Sequence, residues 1–131
     1  MELINRPRRL RQNDSIRRLC RETRLSPDSL IYPIFVDETL KGKRAIPALD
    51  GQFHYGLDAV CEAVEECIQA GVGRCILFGL PAHKDAVGSS AWDEHGVVQE
   101  AIRTIKAKYP DFYVITDVCM CEYTDHGHCG I

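Results

Sequence analysis

Three short apolar runs set the limits on this chain: residues 30–36 (LIYPIFV), 74–79 (RCILFG) and 112–118 (FYVITDV). Each is nearly continuous in apolar residues rather than alternating, which is the mark of a strand buried on both faces. Between them lie two segments of helical period. Residues 57–70 set Leu57, Val60, Cys61, Val64, Cys67 and Ile68 on one face and end at Gly71, a natural terminator. Residues 95–108 set Val97, Val98, Ala101, Ile102 and Ile105 inward and stop at Tyr109-Pro110. Strand, helix, strand, helix, strand with buried strands predicts an α/β protein with a parallel sheet and helical crossovers. Pro33 conflicts with its strand, because proline donates nothing to a ladder. Residues 37–56 hold Gly42, Pro47, Gly51 and Gly56 and read as a long loop.

The 131 residues suit one domain. Three parallel strands with two crossovers leave a sheet edge uncovered, and a (β/α)8 barrel takes ~250 residues. The pattern is therefore either a small open sheet or the first part of something larger. A hydrophobic content of 45% is too high for a disordered chain. No apolar run approaches the ~18 residues of a membrane span. The first residues, MELINRPRRLRQND, lack the apolar stretch of a secretory leader. These readings predict a cytoplasmic protein with no membrane partner. Seven cysteines, an odd number, argue against a disulfide framework and turn attention to metal or reactive thiols.

Charge is uneven. Residues 1–24 carry eight arginines (from Arg6 to Arg24) against Glu2, Asp14 and Glu22, a local +5 in a chain of net −3, so the remainder is −8. Within this arm, residues 14–24 place Ile16, Leu19 and Cys20 at helical spacing, with Asn13 or Asp14 as cap. A basic arm of this kind either tracks phosphates or packs on the acidic body of a neighbouring subunit. With no aromatic interleaving, the second reading is preferred and no nucleic-acid partner is expected.

The chemistry concentrates where the third strand runs into DVCMCEYTDHGHCG, residues 117–130. Cys119, Cys121 and Cys129 fall within eleven residues, at the carboxyl end of a predicted parallel strand, where α/β proteins place their sites. A C-x-C pair on extended backbone points both thiols the same way, and a turn at Thr124–Gly127 would return Cys129 to them. Thiolates suit Zn²⁺, and three protein ligands leave a fourth position for water or substrate. Two plainer readings stand beside this one. The thiols are ordinary, as Cys61, Cys67 and Cys75 look to be, or His126 or His128 closes a purely structural site. Asp117 opens the segment, either as a partner for an amino group or as a solvated carboxylate. The loop Lys84–Ser90 follows the second strand on the same face, as a cover or as plain surface.

The motifs RPRRLR (Arg6–Arg11), LIYPIFV, LFGLP (Leu77–Pro81) with KDAVGSSAW, VQEAIRTIK and above all DVCMCEYTDHGHCGI make the chain resemble the porphobilinogen synthase (5-aminolevulinate dehydratase) family. The resemblance spans essentially all of the chain and about the first two-fifths of that family's length. It implies an N-terminal arm with a short helix over 1–28. Over 29–131 it implies the first three strands of a (β/α)8 TIM barrel, an incomplete barrel ending in a metal-binding loop. It implies a lyase that condenses two 5-aminolevulinate molecules into porphobilinogen for heme and other tetrapyrroles, through two Schiff-base lysines on later strands. Cys119, Cys121 and Cys129 correspond to the ligands of zinc-dependent members, while other members use carboxylates with magnesium; magnesium is thus a second cation to consider. Asp117 matches an active-site aspartate, and Phe78 and Ser89 match substrate-adjacent positions. The arm is implied to carry homo-oligomer assembly, into octamers in the intact family. There are departures. Residues 47–57 lack the usual Met-Pro-Gly, His54 stands where arginine is common, and Asp125 where serine is frequent. None of Lys41, Lys43, Lys84, Lys106 and Lys108 lies in a segment resembling a Schiff-base lysine. The alternative function is accordingly an inactive zinc-binding or assembly module.

Overall fold

A computed structural model describes residues 8–130; Glu2, Arg6 and Pro7 of the arm lie outside the described residues, as does Ile131. Five strands form one sheet: β1 (Tyr32–Asp37), β2 (Lys43–Ala45), β3 (Phe53–Tyr55), β4 (Arg74–Leu80) and β5 (Tyr113–Thr116). Their order across the sheet is β2-β3-β1-β4-β5, with β3, β1, β4 and β5 parallel and β2 antiparallel to β3. The helices are α1 (Asp14–Leu19), α2 (Val60–Gln69) and α3 (Val97–Lys108). The three predicted strands and both crossover helices are present, and the class is α/β.

The loop expected over 37–56 is a correction. It contains β2 and β3, a hairpin that extends the sheet beyond β1. Each strand is three residues long, too short for alternation to register. Its glycines punctuate the hairpin rather than dissolve it: Gly42 and Gly51 both have φ near +75°, which a side chain would resist. The hairpin also bears on Pro33. β3 pairs with β1 only at Phe35 and Val36, so Pro33 has a strand neighbour on the β4 side alone. That is an edge-like position, where proline is tolerated.

The core lies between the sheet and α2 and α3. Ile34 and Val36 of β1, Cys75 and Leu77 of β4, Val60, Ala63 and Val64 of α2, and Val97, Ala101 and Ile105 of α3 are all buried. Leu77→Ala would cost about 2–5 kcal/mol by the usual cavity penalty. α2 ends in a Schellman motif: the N–H of Val72 reaches the Cys67 carbonyl at 2.8 Å and that of Gly71 reaches Ile68 at 3.0 Å, with Gly71 at φ +77°. Ile68, expected on the inner face, is exposed, and Cys61 is half-buried. The residues of β4 alternate, so Ile76, Phe78 and Leu80 present a second, half-exposed face away from the helices.

The arm is different. Asn13 caps α1, its side chain accepting from the Ile16 N–H at 2.9 Å. The helix stops at Leu19, short of the expected Arg24, and buries no residue. A helix this short gains its stability from packing, and here Leu19 is 76% exposed. β5 likewise ends at Thr116, which pairs with Leu77, so Asp117 and Val118 belong to the following loop.

Candidate metal centre

The loop after β5 folds on itself within a few residues. The Met120 carbonyl accepts from the N–H groups of Tyr123 and Thr124, both at 3.0 Å. Tyr123 and Thr124 are buried, and the Thr124 hydroxyl donates to the His128 carbonyl at 3.0 Å. Gly127, at φ +73°, completes the expected turn. Cys129 is thereby returned to the other two thiols. Its sulfur lies 3.1 Å from that of Cys121 and 3.4 Å from that of Cys119. The three Sγ atoms sit within 4.8 Å of one another.

The three thiols share their protons unequally. The Cys121 thiol, and next the backbone N–H of Met120, donate toward the Cys129 sulfur and hold its pKa down to about 7. Hydrogen bonds to Cys129 and Cys119 push Cys121 up to about 12. One sulfur is thus ready to be thiolate near neutrality, and a cation would draw the others after it. The donor set fits zinc. With Zn–S bonds near 2.3 Å, tetrahedral sulfurs stand about 3.8 Å apart, somewhat more than the two Cys129 spacings and inside the 4.8 Å span of the cluster. Neither imidazole joins the sulfurs. His126 Nε2 lies 3.3 Å from the Ala86 carbonyl, and its ring stacks on His128 at 6.0 Å. Among the described residues, the cluster that could hold a metal ion consists of the three cysteines without either imidazole.

The loop after β4 packs against this segment. The Asp85 carboxylate accepts from the N–H groups of Val87 at 3.1 Å and Ser89 at 2.9 Å, and from the Ser89 hydroxyl. These bonds, the Ser89 hydroxyl first, hold its carboxyl below the usual carboxylate range. The Asp85 carbonyl accepts the Asp125 N–H at 3.1 Å, and Asp85 and Thr124 form a parallel bridge. Of the two readings for Lys84–Ser90, cover or plain surface, the structure shows a buttress for the thiol loop.

Phe78 lies on the sheet face away from the helices and stacks on Phe35, with ring centroids 5.5 Å apart. The register that pairs Leu77 with Thr116 sets Phe78 of β4 and Asp117, the first residue past β5, one position further along. Asp117 lines a groove of about 400 Å³ together with Cys119, Met120, Tyr123, Val98 and Ile102. Two groups escaped the sequence reading. One is Asp85, whose side-chain role leaves no mark in periodicity. The other is Glu122, half-buried beside Asp117 and Lys84. Burial, and then the Asp117 charge, raise its pKa against the opposing pull of Lys84.

A parallel α/β sheet with a three-thiol cluster beyond its strand ends defines a protein of the α/β class with a cluster that could hold a metal ion. Comparison with known proteins narrows this. The family model for delta-aminolevulinic acid dehydratase matches residues 4–131, and the chain belongs to that family. It is 55% identical over 129 residues to the delta-aminolevulinic acid dehydratase of Ruminiclostridium josui, covering 98% of this chain and 63% of the relative. It is 52% identical over 126 residues to that of Archaeoglobus fulgidus, covering 96% of this chain and 39% of the relative. A crystal structure of the Toxoplasma gondii ME49 enzyme, in complex with its reaction product porphobilinogen, superposes with a TM-score of 0.90 at 30% identity. It covers 98% of this chain and 37% of that one. The chain thus spans between about two-fifths and two-thirds of the length of these relatives. Its sheet matches part of the porphobilinogen synthase TIM barrel.

Proposed function

We propose that this chain supplies the metal centre and the adjoining wall of a porphobilinogen synthase active site, for condensation of two 5-aminolevulinate molecules in tetrapyrrole biosynthesis. The observation that carries the reading is the cluster of Cys119, Cys121 and Cys129, within 4.8 Å of one another at the carboxyl end of a parallel sheet. Family membership and the product held by the Toxoplasma gondii relative support it. Cys119, Cys121 and Cys129 would hold zinc, which when bound supplies a Lewis acid toward a substrate oxygen. The exposed Asp117 carboxylate, beside the groove, accepts a hydrogen bond from a substrate amino group. Phe78, on the sheet face away from the helices, offers an apolar surface outside that groove. Ser89 acts through its loop, because its hydroxyl is already donated to Asp85.

Carbonyl capture needs a free lysine. Lys43 pairs with Glu62 at 3.1 Å, Lys108 with Glu65 at 2.6 Å, and Lys106 donates to the carbonyls of Pro110 and Phe112. None of the five lysines, Lys41 and Lys84 included, lies in a segment resembling a Schiff-base lysine, and the family resemblance assigns that chemistry to lysines on later strands of whole proteins that carry this segment. No group of described residues assigns a magnesium site. We divide the chain into an arm over 1–28 and a sheet over 29–131. The arm, with Leu10, Leu19 and Leu25 more than 60% exposed, packs on the acidic body of a second copy. No described helix is long and apolar enough to cross a membrane. A site built on free thiols requires a reducing compartment, and we place it in the cytoplasm.

The test is zinc content together with porphobilinogen formation. The reduced 131-residue chain is expected to hold one zinc, lost in Cys121→Ala, without turnover of its own. Whole proteins carrying this segment are expected to lose porphobilinogen formation on zinc removal and regain it on return. A reduced chain that binds no zinc overturns the reading.

A further inference from the structure

The three sulfurs come from two legs of one loop: Cys119 and Cys121 on the outgoing leg, Cys129 on the return. The return leg is held within the loop by the Thr124 hydroxyl on the His128 carbonyl at 3.0 Å, and the turn itself is held from outside it. The Asp125 N–H, on the turn between the legs, donates to the Asp85 carbonyl at 3.1 Å. Thr124 bridges Asp85 in parallel, and His126 Nε2 meets the Ala86 carbonyl at 3.3 Å. Three consecutive residues of the turn thus rest on two consecutive residues of the loop after β4.

The shape of that supporting loop depends on one side chain. The Asp85 carboxylate takes the N–H of Val87 on one oxygen, the N–H of Ser89 on the same oxygen, and the Ser89 hydroxyl on the other. Gly88, inside this knot at φ +66°, brings the two loops into contact. A Cβ there would lie 2.5 Å from Met120 Cε and 3.4 Å from Thr124 Cγ2, so the contact is closed tightly between Cys119 and Cys129. With Asp85 truncated, Val87 and Ser89 lose their side-chain acceptor, and within residues 85–89 the Gly88 N–H to the Asp85 carbonyl at 3.2 Å remains.

We propose that Asp85 is a positioning residue for the three-thiol centre: through its carboxylate it shapes the loop after β4, and through its carbonyl it sets Cys129 against Cys119 and Cys121. It does not touch the metal. Its effect is to hold the three donors together before the cation arrives, and outer partners of this kind typically change metal affinity 10–100-fold. This inference rests on the three thiols being the metal site.

The probe is zinc alone, titrated into the reduced full chain against a chromophoric chelator. The absorption of the cobalt(II) form serves as a second readout, since its thiolate charge-transfer and ligand-field bands report sulfur geometry. Asp85→Ala is expected to weaken zinc about 10–100-fold and to alter the cobalt spectrum while all three thiols remain. Asp85→Asn keeps an acceptor for Val87 and Ser89 and is expected to restore affinity to within a few-fold. Gly88→Ala keeps the Asp85 side chain but strains the backbone at φ +66° between its two N–H donors, Val87 and Ser89, and is expected to weaken zinc in the same direction. It stands in should Asp85→Ala lose the helical circular dichroism of the parent. Wild-type affinity and an unchanged cobalt spectrum in the folded variants overturn the proposal. Failure of the parent chain itself to bind zinc would instead remove the thiol site, a distinct result.

Discussion

Gly79 and Tyr123 are fitted to each other: a Cβ on Gly79 would stand 2.8 Å from the Tyr123 phenolic oxygen and under 3 Å from Val97 and Val98 of α3. The bare backbone of β4 is what allows the thiol loop and α3 to meet over the strand. Gly79→Ala is expected to cost about 1–3 kcal/mol, the usual penalty for overpacking, and to lower zinc affinity by lifting Tyr123. Denaturant unfolding paired with zinc titration checks both. An alanine variant as stable as the parent would show that the loop moves freely over β4.

Thiol chemistry should sort the cysteines. Burial pushes Cys67 up to about 11 and Cys75 to about 12, whereas Cys129 is held at about 7. In the metal-free reduced chain, alkylation at pH 8 is expected to mark Cys129 first and to leave Cys67 and Cys75 untouched until denaturant is added. Zinc is expected to protect Cys119, Cys121 and Cys129 together. Peptide mass spectrometry reads the pattern, and protection of a different trio would contradict the centre.

Tyr55 is buried, and its hydroxyl has no hydrogen-bond partner among the described residues. Burial, with Glu66 next, pushes that phenol up to about 12. An unpaired buried hydroxyl is a cost. Tyr55→Phe should therefore leave stability unchanged or raise it by about 1 kcal/mol. A clear loss of stability would mean that the hydroxyl has a partner.

Asp37 gives stability an acid limb. Burial opposes its ionisation, but the Thr39 hydroxyl at 2.7 Å, the Thr39 N–H at 3.0 Å and the Arg44 guanidinium at 2.8 Å outweigh it. Its carboxyl is held below the usual value. A group depressed on folding stabilises fully above its unfolded pKa, near 4, and that stabilisation is lost as pH falls through the folded value. Asp37→Asn is expected to be less stable than the parent at neutral pH, with the gap closing toward pH 3. Melting temperatures of the two proteins across pH 3–7 measure it.

Long apolar runs and helical faces made β1, β4, β5, α2 and α3 legible in the sequence, because burial on both faces writes itself into composition. The three cysteines were legible for a different reason, their density at a strand end. The hairpin of β2 and β3 was not, since three-residue strands pair through backbone and leave no pattern. Asp85 was equally silent. Its role is a set of bonds to Val87, Ser89 and Asp125, and a loop aspartate with such bonds looks in sequence like one without them. The short reach of α1 follows from the absence of buried partners, which no local pattern reports.

The eleven residues from Cys119 to Cys129 hold every sulfur of the cluster, and their buttress at Asp85–Ser89 precedes them in the chain. Closing so short a segment costs little chain entropy and is fast. During synthesis from the N-terminus, the residues of the support have already been made when the last thiol emerges. A cation held by these thiols would draw on residues up to Cys129 alone, so its site is complete once that stretch has been made.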